Sequence, residues 1–287
     1  MIISVASGKG GTGKTTVAVN LALSIGNIQF LDCDVEEPNA HIFLNPKIEK
    51  IESFEILHPI IDESKCNLCG KCGKICEFHA IAVMPKKVII FEELCHGCGG
   101  CALICPQKAI TEKSKELGII RIGRCINDIE FLDGVLNLGQ AHASPLIRQV
   151  KKTAAQIKNK NQQITIIDAP PGTSCPVINT VKETDFCILV TEPTPFGLND
   201  LILAVETVKK LNIPFCVVIN RFDIGDNKVE KYCKDENIPI LMKIPFSKEI
   251  ALSYSEGIPI VEKYPEYKKI FYDLFENIIK RVNVNIQ

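Results

Sequence analysis

The chain has 287 residues, 46% hydrophobic and 23% charged, with 33 Lys and Arg against 34 Asp and Glu for a formal charge of −1. A folded body is implied and a disordered or coiled-coil one excluded, while balanced charge argues against nucleic acid as the main partner, because phosphate neutralisation takes clustered basic residues. No apolar run approaches the ~18 residues that span a bilayer, and the N-terminal residues enter a strand pattern without a secretory signal, so a cytoplasmic location is expected.

A β-rich run at Ile2–Ala6 comes first. Directly after it, Gly8-Lys9-Gly10-Gly11-Thr12-Gly13-Lys14-Thr15-Thr16 fits G-x-x-x-x-G-K-[ST] and opens a helical pattern with Val17, Leu21 and Ile25 apolar. The glycines let successive backbone N–H groups converge on phosphate oxygens, and the helix adds its positive dipole end. Lys14 is expected to neutralise the β and γ phosphates, and Thr15 to ligate Mg²⁺. A second run, Ile28–Leu31, ends at Asp32-Cys33-Asp34.

Fourteen cysteines are unusual for a reducing compartment, where thiols are more often ligands or catalysts than disulfides. Eight of them form two copies of one pattern, Cys66-x2-Cys69-x2-Cys72-x3-Cys76 and Cys95-x2-Cys98-x2-Cys101-x3-Cys105. The copies agree beyond sulfur, with Gly70 answering Gly99, Ile75 answering Ile104, and Ala80-Ile81 answering Ala109-Ile110, which marks an internal duplication. The spacing is that of bacterial two-cluster ferredoxins, in which the fourth cysteine of each run ligates the other cluster. It predicts two 4Fe-4S clusters, one held by Cys66, Cys69, Cys72 and Cys105 and the other by Cys95, Cys98, Cys101 and Cys76. Zinc is the rival for paired C-x2-C units. Cys105 is followed by Pro106 but Cys76 by Glu77, so the two sites are expected to differ in potential; His79 and His96 read as turn or surface residues.

Further runs at Ile164–Ile167, Phe186–Val190, Phe215–Ile219 and Ile240–Ile244 alternate with helical stretches, which predicts an α/β fold with a mostly parallel sheet. Because such runs flank the cysteine block, the expected organisation is one P-loop NTPase domain, residues 1–60 and 125–287, interrupted by a small α+β ferredoxin-like insert at 61–124 that metal must organise.

The extra lysine in the phosphate loop, Lys9, resembles the deviant Walker A motif of the MinD/ParA superfamily, which includes the nitrogenase iron protein. That resemblance implies a nucleotide-sandwiched dimer, of two copies or with a paralogue, in which Lys9 reaches the partner's ATP. Asp32-Cys33-Asp34 is similar to the family's switch I, giving Asp34 the task of orienting the attacking water and placing Asp32 nearer the metal. Ile164 to Gly172, with Asp168-Ala169-Pro170-Pro171-Gly172, resembles Walker B and switch II, so Asp168 would hold Mg²⁺ through water and the Gly172 N–H would sense the γ-phosphate. Asn220 resembles the base-contacting asparagine, and Ile244-Pro245-Phe246 through Gly257-Ile258-Pro259 the base-packing loop. Gly134 to Gly139 and Ser144-Pro145 are similar to the segment that follows the insert in MinD-like ATPases carrying a ferredoxin domain.

The implied activity is slow ATP hydrolysis gating electron transfer or cluster handling, with an unidentified redox partner or apo-protein client; a cluster carrier or scaffold and a positioning ATPase are the alternatives. Cys175 stands at the interval after Asp168 where the iron protein has a cluster ligand, with Cys125 as a conceivable companion; the plainer expectation for Cys175 is a small buried residue. The C-terminal run Tyr267, Ile270, Phe271, Leu274, Phe275, Ile278, Ile279 forms one apolar helical face, expected to pack on the sheet, with membrane contact as the alternative. Cys187 and Cys216 read as core residues.

Overall fold

A computed structural model describes residues 1–140, 142–158 and 163–284. Its strands are β1 (Ile2–Ala6), β2 (Gln29–Asp32), β3 (Lys47–Ile61), β4 (Ile81–Val83), β5 (Val88–Ile90), β6 (Ile110–Arg124), β7 (Glu130–Leu136), β8 (Thr165–Asp168), β9 (Phe186–Thr191), β10 (Phe215–Asn220) and β11 (Ile240–Ile244). Nine form one sheet in the order β11-β10-β9-β1-β8-β2-β7-β6-β3, and β4 pairs with β5 in a separate hairpin. From β11 to β7 the pairing is parallel; β6 runs antiparallel to β7 and β3 antiparallel to β6. The central strands are buried on both faces and therefore read as near-continuous Val, Ile, Leu and Phe.

The helices are α1 (Lys14–Ile25), α2 (Ala40–Leu44), α3 (Lys71–Ile75), α4 (Gly100–Ile104), α5 (Ala143–Ile157), α6 (Cys175–Val181), α7 (Pro195–Lys210), α8 (Lys228–Asp235), α9 (Lys248–Ser255), α10 (Ile260–Lys263) and α11 (Glu266–Val284). On one face α1 and α11 close over Ile3, Val5, Phe30 and Ile188, with Phe271, Leu274 and Ile278 fully buried. The apolar stripe of α11 thus packs on the sheet as expected, except for Ile270, which is exposed. No described helix is long and apolar enough to cross a membrane. On the other face α6, α7 and α8 cover β9 and β10, and α5 covers β2 and β7. Cys187 and Cys216 lie inside these cores.

The six apolar runs read from sequence coincide with β1, β2, β8, β9, β10 and β11 to within a residue or so at each end. β3, β6 and β7 are additional. β3 and β6 pair along their length, with register shifts between Ile48 and Lys50 and between Phe54 and Glu55 that interrupt simple alternation. As a result residues 110–124, expected in the insert, form a strand of the main sheet, and the segment carrying the eight cysteines spans 62–109. Its own core is small: Cys72, Ile81, Cys101 and Ile110 are the buried members, so two cysteines serve as core residues.

Candidate functional site

β1 delivers the phosphate loop to the carboxyl edge of the sheet, beside β8 and β2, where parallel α/β sheets bind ligands. Gly8 is required by proximity: a Cβ there would stand 2.1 Å from the Asp200 carbonyl oxygen of α7. Gly13, at φ +91, would collide with the Asn220 amide, whose Nδ2 donates to the Thr12 carbonyl at 2.9 Å. The loop encloses a cavity of about 470 Å³ lined by Gly10, Gly11, Gly13, Lys14, Thr15, Thr16, Asp34 and Asn220, within the ordinary range for a ligand site. Lys14 is nearly buried, at 6% exposure, and heads α1. Gly8, Lys9 and Thr12 do not line the cavity. Lys9 is half-exposed, and its carbonyl accepts the Ser7 hydroxyl at 2.5 Å.

Thr15 and Asp168 meet as expected, the Thr15 hydroxyl donating to Asp168 Oδ2 at 2.6 Å. Asp168 Oδ1 is buried and without a partner. A hydroxyl and an orphaned carboxylate oxygen at the mouth of a phosphate loop are the hard oxygen donors that Mg²⁺ requires, so this chain's residues fit that ion. Asp32 lies differently. Its carboxylate is fully buried and accepts the N–H groups of Asp34, Asn39 and Ala40 at 3.0, 3.1 and 3.0 Å, which makes it the anchor of the loop rather than a cavity residue. Gly172, at φ +98, does not line the cavity, and its N–H donates to the Ser7 carbonyl at 3.0 Å.

Strand register sets four charges in a row: Arg121 opposite Asp133, Asp133 opposite Asp32, and Asp32 opposite Asp168. Arg121 is bidentate to Asp133, with Nε to Oδ1 at 2.9 Å, and Asp133 is completely buried. Removing the one cation leaves a buried carboxylate next to another. Arg121→Ala is therefore expected to cost about 3–5 kcal/mol of stability, read from the urea midpoint, and Arg121→Met with Asp133→Asn to recover most of it.

Burial pushes Asp168 up to about 7, an effect that Lys14 and Thr15 oppose and Asp34 reinforces. Burial likewise raises Asp34 to about 6, with Lys14 opposing and Glu36 and Glu37 reinforcing. Asp32 is raised well above the carboxylate range by burial and by Asp168. Each folded-state value exceeds the ordinary 3.8, so the folded chain holds protons that the unfolded chain has released. That stabilisation is complete below about pH 4 and is lost as pH rises through about 6 and about 7. The urea midpoint of the Mg²⁺-free, nucleotide-free protein is expected to fall from pH 5 to pH 8, and saturating Mg-ADP to flatten the fall; a midpoint that rises over this interval contradicts the assignment.

Opposite the phosphate loop, Pro245, Phe246, Ile250, Ala251, Tyr254 and Ile260 give the cavity an apolar wall. Phe246 and Tyr254 both fall in the expected base-packing segment, but the tilted contact of Tyr254 with Phe43, centroids 4.8 Å apart, was not foreseen. Nor was Arg221, which lines the cavity while ion-paired to Glu192 at 2.8 Å.

The eight duplicated cysteines are all free thiols and surround two cavities. Cys66, Cys69, Cys72 and Cys105 line one; Cys76, Cys95, Cys98 and Cys101 line the other. Each set thus takes its fourth sulfur from the other repeat. The backbone repeats too: Gly70 and Gly99 have φ +76 and +73, His79 and Lys108 φ +51 and +49. The Ala80 and Ala109 N–H groups each donate to the fourth-cysteine sulfur, Cys76 and Cys105, at 3.3 Å. Such N–H donors stabilise thiolate ligands, so the donor set fits an iron–sulfur cluster at each cavity. Among the described residues no three His, Cys, Asp or Glu groups converge as a site for a single ion. Burial pushes the Cys101 thiol up to about 11.

Cys175 is exposed at the start of α6, not buried as the plainer expectation had it. Cys125 precedes β7 at the amino edge of the parallel strands, opposite the Asp168 edge, where it packs into the core, and burial raises its thiol to about 12. It is no companion for Cys175.

Comparison with known proteins places these features. Residues 3–260 match the family described as CbiA: CobQ/CobB/MinD/ParA nucleotide binding domain. "Uncharacterized protein MJ0578" of Methanocaldococcus jannaschii is 32% identical over 283 residues, covering 97% of this chain and 96% of its own. "Iron-sulfur cluster carrier protein" of Pyrococcus horikoshii is 26% identical over 304 residues, covering 98% of this chain and 86% of its own. Among solved structures, the septum site-determining protein MinD of Pyrococcus horikoshii, complexed with Mg-ADP, superposes with a TM-score of 0.60 at 21% identity, covering 99% of this chain and 97% of its own. At that identity the superposition speaks to fold.

Proposed function

Because this chain belongs to the CobQ/CobB/MinD/ParA nucleotide-binding family and is a P-loop ATPase, we propose that it is an Mg-ATP-switched iron–sulfur protein holding two 4Fe-4S clusters, in which slow ATP hydrolysis in a dimer governs electron transfer through them. The observation that carries the iron–sulfur half is the two cavities, each lined by four thiols drawn from both repeats.

In this reading Lys14 neutralises the β and γ phosphates from within the loop, while Thr15 and Asp168 hold Mg²⁺. Bound Mg²⁺ would neutralise the charge that develops on the transferred phosphoryl oxygens. Asp34, at the cavity wall, orients the attacking water. Its raised affinity for protons suits a group that accepts a hydrogen bond and then a proton near neutral pH. Lys9, which does not line its own chain's cavity, is free to act on the nucleotide of a partner copy. The phosphate is sensed where Gly172 must exchange the Ser7 carbonyl for the γ-phosphate. Asn220 and the Phe246 and Tyr254 wall take the base. Bound clusters would supply one-electron storage.

A second reading, in which the clusters are cargo delivered to an apo-protein, is favoured by the relative named as an iron–sulfur cluster carrier. Three of the eight cysteines, Cys72, Cys95 and Cys101, are buried residues, which suits resident clusters better. Anaerobic purification followed by iron, sulfide and zinc analysis, with EPR before and after ATP, tests the proposal. About eight irons per chain are expected. Zinc in their place, or iron passing quantitatively to an added apo-ferredoxin, overturns it.

A further inference from the structure

The two cysteine repeats match in their left-handed backbone positions and in their N–H donors to sulfur, so positions at which they differ in side chain stand out. Two of these meet. Asn67, after the first cysteine of one repeat, is replaced by His96 in the other, and Gln107, two residues past Cys105, is replaced by Phe78 past Cys76. Phe78 and His96 stack with centroids 3.7 Å apart and planes within 13°, and both line the cavity of Cys76, Cys95, Cys98 and Cys101. The ring contact continues into the ATPase domain: the His142 ring lies 4.4 Å from that of His96, tilted by 46°, at the N-cap of α5. Asn67 and Gln107 line the other cavity, and neither has a ring to make such a stack. The second-site loop is also pressed onto β3, where a Cβ on Gly97 would stand 2.9 Å from the Leu57 carbonyl oxygen.

α5 is in turn fastened to α6, the helix that follows the switch segment Asp168–Gly172. Asn179 Nδ2 donates to Ser144 Oγ at 3.3 Å. The Lys151 ammonium donates to the carbonyls of Asn179, Thr180 and Lys182 at 3.1, 3.1 and 2.8 Å. Packed rings, one pair face to face and the next tilted, resist sliding more than a polar surface loop does. A displacement of α6 therefore has a packed route through α5 and His142 to the loop bearing Cys95 and Cys98, and among the described residues no chain of ring contacts leads to Cys66 and Cys69.

The geometry points to unequal roles for the two cluster sites: the Phe78–His96–His142 stack makes the Cys76/Cys95/Cys98/Cys101 site the one that answers to nucleotide, with His142 as the positioning residue, and leaves the Cys66/Cys69/Cys72/Cys105 site insensitive to it. This rests on the two-cluster reading above. It assigns the coupling to one side chain that lines neither the phosphate-loop cavity nor the cavity of the four thiols.

The test uses the anaerobically purified full chain in Mg-ADP and in Mg-AMPPNP, as wild type, His142→Ala and His142→Phe, with Cys98→Ser and Cys69→Ser marking which EPR signal belongs to which site. Hydrogen exchange of the peptides around Cys95–Gly99 and Cys66–Gly70 is measured alongside. In the wild type, one signal is expected to shift between nucleotides, the one lost in Cys98→Ser, and exchange to change around Cys95–Gly99 alone. His142→Ala should keep both signals, the iron content and the ATPase rate but lose the nucleotide-dependent shift, and His142→Phe should restore it by keeping a ring in the stack. A shift that survives His142→Ala, or that falls on the signal lost in Cys69→Ser, overturns the inference. Full iron with no nucleotide response sinks this inference alone, whereas a chain that binds no iron sinks the two-cluster reading with it.

Discussion

Lys14→Ala is expected to lower ATP turnover by about a thousandfold, the scale of loss when a preorganised charge at the reacting group is removed. The structure makes the demand on this residue specific. Lys14 is almost completely buried at the head of α1 and lines the cavity. The cavity's other cation, Arg221, is committed to Glu192. No side chain nearby substitutes for it, and Asp34 and Asp168, both of which Lys14 helps to ionise, become harder to deprotonate when it is gone. Lys9→Ala discriminates between the two lysines. Because Lys9 does not line its own chain's cavity, its loss should leave Mg-ADP affinity within about twofold while lowering turnover on the scale of a trans-acting cation, about 10³-fold. Isothermal titration with Mg-ADP beside a phosphate-release assay separates the cases, and equal weakening of nucleotide binding by both variants would assign Lys9 to its own chain's phosphate loop.

What could be read in advance follows from how locally each feature is encoded. The phosphate loop is one contiguous stretch between a strand and a helix, and the thiol pattern repeats itself, so both were visible in one dimension. Strands buried on both faces were visible as apolar runs. β3 and β6 were not, because most of their side chains alternate only between half-buried and exposed and two register shifts break the period. Their pairing carries the insert on two arms of the main sheet, which is why the expected insert, ending at 124, took in the whole of β6. Asp32 looked like a metal neighbour because it ends a strand beside Asp34; three backbone N–H groups, fixed by the fold of residues 34–40, turn it inward. Cys175 looked like a core residue because small apolar side chains usually are, and nothing local to it announces that the first turn of α6 faces outward. The row from Arg121 to Asp168 and the stack from Phe78 to His142 join residues far apart in the chain. Both owe their existence to register and packing.

The crossing of the fourth cysteine has the sharpest consequence of any sequence expectation, and it can be read from two substitutions. If each repeat supplied a whole site, Cys105→Ser would injure the site of Cys98 and Cys101. The cavities say otherwise: Cys105 shares its cavity with Cys66, Cys69 and Cys72, and Cys76 shares its own with Cys95, Cys98 and Cys101. Cys105→Ser is therefore expected to leave the EPR signal that Cys69→Ser leaves, and Cys76→Ser the signal that Cys98→Ser leaves, each with about half the wild-type iron. Loss beyond half is the expected direction of any deviation, since Cys72 and Cys101 are shared core for a lobe with few other buried side chains, and emptying one site loosens the packing around the other. Identity of the surviving signal, not the amount of iron, decides the point: a Cys105→Ser protein whose spectrum matches that of Cys98→Ser would mean that each repeat closes on itself, and the pairing of the halves through their cavities would be wrong.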